Sequence, residues 1–145
     1  MRFSLVVLVA LFLTANTACS QADPGLLDAN AETTVTLTVK VANAVSSDHR
    51  VYLGIQDETG QAVQQGEAEL DNKTATFTFK SMPTGRYAIQ VYHDENGNGK
   101  LDTGAFGIPQ ERYGFSNNAQ ARFGPPSLEE RLFTLSANTK VIIEL

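Results

Sequence analysis

The chain has 145 residues, a length suited to one domain, with 11 basic against 16 acidic side chains and a net charge of −5. An acidic chain without a cluster of Lys and Arg argues against nucleic acid and anionic membrane surfaces as partners. A single cysteine excludes an internal disulfide, and two histidines with no thiol inside the folded part leave little for a transition-metal centre.

Met1–Arg2–Phe3 carries one positive charge, Ser4 to Leu13 is almost wholly apolar, and small residues follow through Ala18 and Cys19. This is the layout of a secretory signal. The apolar run falls short of the ~20 residues that a membrane span needs. The Ala18–Cys19 step resembles the lipobox of bacterial lipoproteins, in which the cysteine receives lipid, with Asn16 standing where a Leu-like residue is usual. Ordinary cleavage after Ala22 is the competing reading and would discard Cys19. Both readings predict export, to the periplasm or the outer cell surface. Residues 1–19 are expected to be the signal, 20–32 a tether, and 33–145 the folded domain.

From Thr33 the pattern becomes strictly alternating. Val35, Leu37, Val39 and Val41 share one face against Thr34, Thr36, Thr38 and Lys40, which is a half-buried strand. Val51, Leu53 and Ile55 mark a second strand. Val63 to Leu70, interrupted by Gln64, Gln65 and Glu67, reads as an edge strand. Ala75, Phe77 and Phe79 give a fourth with an aromatic core face. Arg86 to His93 is the fifth, and its second face (Ala88, Gln90, Tyr92, Asp94) is mixed rather than polar, which predicts a central position. Leu132 to Ser136 and Lys140 to Leu145 supply two more, with a single helical turn near Leu128–Leu132. Seven short strands separated by turn signals predict an all-β, antiparallel β-sandwich of prealbumin- or immunoglobulin-like type. No strand pattern is visible from Asp102 to about Arg131, and an ordered connection of that length is often functional.

Between the fifth strand and this segment lies Asp94–Glu95–Asn96–Gly97–Asn98–Gly99–Lys100–Leu101–Asp102. Oxygen-bearing side chains recur at every second position, the spacing at which a curling loop converges on a hard cation. Counted from Asp94, the residues Asn96, Asn98, Lys100 (through its carbonyl) and Asp102 fall on the oxygen positions of a calcium loop, with Gly99 at the sharp turn. The bidentate Glu of an EF-hand is replaced by Ala105, and the entering segment has β rather than helical period, so an EF-hand is not expected. Glu111 is the leading candidate for a further carboxylate, with Glu129 and Glu130 behind it. The competing reading is a metal-free polar turn, which Asn-Gly pairs also favour. His93 is expected to bond a backbone group at the rim of the core.

Several motifs then fall in order: Pro83, Gly85, Tyr87 and Ala88; His93–Asp94; Asn96 to Asp102; Phe106–Gly107–Ile108–Pro109; Glu111; Tyr113 to Asn117; and Phe123 to Ser127. Together they resemble the bacterial family filed as domain of unknown function 2141, over about Val35 to Leu145, with Leu128 where a Phe is common. The resemblance implies an exported bacterial protein and no assigned activity. The Gly-x-Tyr strand also resembles prealbumin-like and carboxypeptidase-regulatory-like sandwiches.

The aromatics Phe106, Tyr113, Phe115 and Phe123 follow an irregular path stiffened by Pro109, Pro125 and Pro126. They are read either as a plug over one end of the core or as a ligand surface in which Glu111, Arg112, Tyr113, Phe115 and Asn117 take a glycan or a peptide. The leading expectation for function is a non-catalytic, calcium-stabilised, monomeric envelope module with a binding or structural role. The alternatives are a hydrolase or lyase using His93, Asp94 and Glu111 for acid–base work, and a small-ligand carrier. No nucleophile elbow, zinc motif or phosphate loop is present to favour an enzyme.

Overall fold

The computed structural model describes residues 32–122 and 124–145. The expected signal, Cys19, the tether up to residue 31, and Phe123 lie outside the described residues. The described part folds into eight strands: β1 (Thr34–Ala42), β2 (Arg50–Asp57), β3 (Ala62–Glu69), β4 (Ala75–Pro83), β5 (Gly85–Asp94), β6 (Tyr113–Phe115), β7 (Phe133–Leu135) and β8 (Thr139–Glu144). One short α-helix, α1 (Leu128–Arg131), stands where the single turn was expected, and two 3-10 turns lie at Ala105–Gly107 and Ser116–Asn118.

The strands form two sheets. One has the order β4–β1–β8; the other runs β3–β2–β5–β6, with β7 also paired to β5. The pairings are antiparallel except that of β1 with β8, which is parallel and departs from the wholly antiparallel expectation. β3 lies at a sheet edge and β5 in the interior, as the interrupted pattern of the first and the mixed outer face of the second predict. The strand missed by period is β6. Three residues with Gly114 at their centre are too few to show alternation.

The core forms where the inner faces meet. Leu37, Val39 and Val41 of β1, Val51, Leu53 and Ile55 of β2, Phe77 of β4, Ile89 and Val91 of β5 and Ile143 of β8 are all buried. Removing such side chains from water is the main favourable term in folding. The Pro-x-Gly-x-Tyr sequence at the start of β5 has a local reason. The Tyr87 hydroxyl reaches back to donate to the Pro83 carbonyl at 2.9 Å, and its ring lies over Gly85, where a Cβ would stand 3.6 Å from it.

The outer edge of β5 is covered in two pieces. β6 pairs with Gln90–Tyr92 and β7 with Gly85–Tyr87, leaving a gap between them. Ser116 fills it: its buried Oγ accepts the Ile89 N–H at 2.9 Å and donates to the Arg131 carbonyl. Asn117, at φ 60°, donates through Nδ2 to the carbonyls of Glu130 (3.1 Å) and Leu132 (2.9 Å). The connection from Asp102 to Arg131 is therefore ordered by side-chain hydrogen bonds together with the short elements β6 and α1.

Candidate functional site

β5 ends in Asp94, and the chain turns at once because the Asp94 carboxylate gathers the backbone behind it. Oδ1 accepts the N–H groups of Gly97 (2.8 Å) and Asn98 (3.1 Å), and Oδ2 accepts that of Gly99 (2.7 Å). Gly97 and Gly99 both adopt φ 76°, the left-handed conformation that glycine takes without a Cβ penalty. At Gly97 a Cβ would also come within 2.9 Å of the His49 ring, so the turn is packed as well as bent. Burial works against the ionised form of Asp94. The backbone N–H groups of Gly99, Gly97 and Asn98 outweigh it and hold the carboxyl below its ordinary range.

The loop residues singled out from the spacing do converge. Asn98 Nδ2 donates to Asp102 Oδ2 at 2.9 Å, and Asn96 Nδ2 also donates to the Asp102 carboxylate. The Oδ1 atoms of Asn96 and Asn98 accept the N–H groups of Asn98 and Lys100 at 3.0 and 2.8 Å. Asp94, Asn96, Asn98, Lys100 and Asp102 thus form one closed turn, fastened by its own donors. Among the described residues no three of His, Cys, Asp and Glu cluster as a metal site. A cation here would rely on amide and backbone oxygens beside Asp94 and Asp102, with the two amide groups turned over to present oxygen in place of N–H.

Glu111 folds back onto this turn. It is buried, and its two oxygens accept the N–H groups of Glu95 and Asp102, each at 2.9 Å. Glu95 returns the contact by accepting the Arg112 N–H at 3.1 Å. Glu129 and Glu130, the other proposed carboxylates, are placed elsewhere. Glu129 pairs with Arg86 at the opposite end of β5 (2.6 Å), and Glu130 caps α1 through Ser127. Their closeness to Glu111 in sequence is undone by the path through β6 and the turn after it.

His93 is fully buried on the core side of β5 and its Nε2 lies 2.9 Å from the Asp48 carbonyl. That contact requires Nε2 to donate. The backbone partner expected of it is therefore present. Its Nδ1 has no partner among the described residues, so His93 hydrogen-bonds neither Asp94 nor Glu111.

Beside the loop, the outer face of the larger sheet carries a groove that the sequence did not flag. Register explains it. Tyr52 lies opposite Glu67 on one side and Tyr92 on the other, and Tyr92 lies opposite Tyr113, so three tyrosines from β2, β5 and β6 stand in one row. The next outward row is Gln65, Gly54, Gln90 and Phe115. The Tyr52 and Tyr92 rings stack at 5.2 Å and 16°. The Tyr92 hydroxyl donates to the Gly99 carbonyl at 3.3 Å, tying this face to the loop. The side chains and backbone of Leu101 to Pro109 form one wall, and the accessible volume is about 1220 Å³.

Of the binding residues predicted from sequence, Tyr113 and Phe115 line the groove. They meet edge to face at 5.7 Å, Phe115 with the Arg131 guanidinium 5.4 Å from its centre. Glu111 is committed to the loop, Arg112 reaches the Leu145 carbonyl at 3.3 Å, and Asn117 secures α1. The plug and surface readings therefore divide along the segment. Phe115 is buried, Tyr113 is half-buried and Phe106 is 99% exposed at the groove wall. The residues missed, Tyr52, Gln65, Gln90 and Tyr92, sit on outer strand faces. For Gln90 and Tyr92 the one visible signal was the mixed second face of β5.

The family model described as "Uncharacterized protein conserved in bacteria (DUF2141)" matches residues 30–143. No curated protein and no solved structure matches the chain.

Proposed function

Given that the chain belongs to this bacterial family, we propose that it is an exported, non-catalytic binding module whose Asp94–Asp102 loop, steadied by calcium, shapes a ligand groove on the outer face of the larger sheet. The observation that carries this reading is the direct join between loop and groove. Gly99 accepts the Tyr92 hydroxyl, and Leu101 leaves the turn as part of the groove wall. Export is supported by the charge, apolar run and small residues at the start of the chain. A non-catalytic role is supported by what the acid–base candidates touch: His93, Asp94 and Glu111 are each buried and engaged with backbone groups.

Calcium is supported by the alternating oxygens of Asp94, Asn96, Asn98 and Asp102 in one turn, with the Lys100 carbonyl at the remaining position. Two formal charges and a turn that also closes on itself give weak binding, on the order of 10⁻⁴–10⁻³ M. At ~1 mM calcium and a Kd of ~10⁻⁴ M, binding adds about 1.4 kcal/mol, or roughly 5 °C in melting temperature. The test is thermal melting with calcium and with EDTA, on the parent chain and on Asp102→Ala. A calcium shift lost in the variant is expected. Identical melting curves would remove calcium from the reading, and a groove that takes no ligand would remove the binding role.

A further inference from the structure

We propose that the groove's ligand is a neutral oligosaccharide, recognised by the tyrosine row Tyr52–Tyr92–Tyr113 and the amides of Gln65 and Gln90; this rests on the binding-module reading and names its ligand class. Four observations lead there.

The first is charge. The two ionised side chains that border the groove each have an opposite charge nearby. Glu67 pairs with Arg50, and Arg122 lies close enough to Glu130 to favour its ionised form. The lining is electrically balanced, which suits an uncharged ligand over an acidic or basic one.

The second is position on the sheet. Peptides that bind by strand addition need an unpaired sheet edge. Here the floor is the face of β2 and β5, whose backbones are already paired on both sides at Tyr52, Gly54, Gln90 and Tyr92. Over this floor recognition falls to side chains, while β3 and β6, the terminal strands of the sheet among the described residues, border the groove.

The third is what those side chains offer. Gln90 extends over Gly54, its Cγ and Nε2 each 3.6 Å from where a Cβ would stand, so its amide lies between β2 and β5 in mid-groove. Neither it nor Gln65 has a side-chain hydrogen bond among the described residues, although both line the cleft. An amide both donates and accepts, as does a phenol, and a ligand dense in hydroxyl groups can use both. An acyl chain would cover these groups without pairing them, which costs binding energy. The tyrosines supply rigid area that is apolar along the ring and polar at the tip, which matches the alternating C–H and O–H surface of a sugar.

The fourth is size. The volume of about 1220 Å³ exceeds the roughly 300–1,000 Å³ of ordinary small-molecule pockets. The tyrosine row crosses three strands, about 10 Å from first to last, so more than one sugar ring would be in contact.

The experiment is titration of the whole purified chain, followed by amide NMR, with three neutral hexasaccharides (cellohexaose, chitohexaose and maltohexaose), with palmitate, and with an uncharged ten-residue peptide. At least one hexasaccharide is expected to bind and to shift the resonances of Gly54, Gln90 and Tyr113. Gln90→Ala is expected to weaken it about tenfold with an unchanged melting temperature. Tyr92→Phe, which keeps the ring and removes the hydroxyl, is the second variant and should weaken it less. Binding of palmitate or peptide alone, sensitive to Gln90→Ala, would overturn the sugar assignment and keep the groove as a binding site. Silence from all three classes would overturn both.

Discussion

Glu111 Oε2 accepts the backbone N–H of Asp102 at 2.9 Å, nine residues back along the chain. The same carboxylate accepts Glu95 N–H through Oε1, so one buried side chain closes both ends of the Asp94–Asp102 turn. Glu111→Ala would leave two N–H groups without partners. The expected cost is about 2–6 kcal/mol, from ~1–3 for each orphaned donor. Glu111→Gln keeps one acceptor and should cost roughly half as much. Urea unfolding of both variants checks the order.

Ser116 provides a second test. Its Oγ substitutes for a strand partner at Ile89, in the gap between β6 and β7. Ser116→Ala conserves volume but orphans a buried N–H and releases the Arg131 carbonyl. A loss of about 1–3 kcal/mol is expected, with faster amide exchange at Ile89 than at Val91. Equal exchange at the two positions would show that water replaces the hydroxyl without cost.

Gly114 tests the packing of the short strand β6. A Cβ there would stand 2.7 Å from Ile143 Cγ2 and 2.9 Å from the Glu144 carbonyl oxygen. Ile143 can turn, but the carbonyl belongs to β8 and is fixed by its pairing with β1. Gly114→Ala should therefore destabilise by about 1–3 kcal/mol through overpacking. The coupling between Gly114→Ala and Ile143→Ala, which removes Cγ2, should be small, because the backbone contact remains.

Acid should loosen α1. The Glu130 carboxylate accepts both the Ser127 hydroxyl (2.7 Å) and the Ser127 N–H (2.8 Å), and these hold its pKa below the ordinary value. A lowered folded-state pKa contributes stability that is present above about pH 4.3 and lost as pH falls through the folded-state value. Asp57, lowered by the Thr59 hydroxyl and neighbouring N–H groups, acts in the same direction. Glu130→Gln should flatten the acid limb of the stability profile without altering its neutral plateau slope. An unchanged acid limb would place the loss elsewhere.

The strands were legible because a half-buried sheet writes its burial into a period of two. Val35 to Val41 and Val51 to Ile55 are plain cases. The parallel partnership of β1 with β8 was not legible, since nothing local distinguishes a parallel neighbour from an antiparallel one in so short a strand. The loop was legible as a turn because its residues bond within a few positions of one another. The role of Glu111 depended on the chain returning after β5, which only the fold supplies. The tyrosine row was hidden for a related reason. Tyr52, Tyr92 and Tyr113 are unremarkable in their own strands, and they become a surface only when the register of two pairings aligns them.

The parallel pairing of β1 and β8 also gives the described domain two distinct poles. Thr33 accepts the N–H of Thr84 near the start of β5, whereas the Leu145 N–H is held by the Ala42 carbonyl and the Leu145 carbonyl meets Arg112, next to the end of β5. A strand of 10 residues separates the two ends of β5, about 30 Å. A reporter joined ahead of Glu32 would emerge at the pole away from Asp94–Asp102. One joined after Leu145 would emerge beside Arg112 and crowd the turn. For any surface-immobilised assay of this domain, the attachment point thus decides whether the Asp94–Asp102 turn looks outward or into the support.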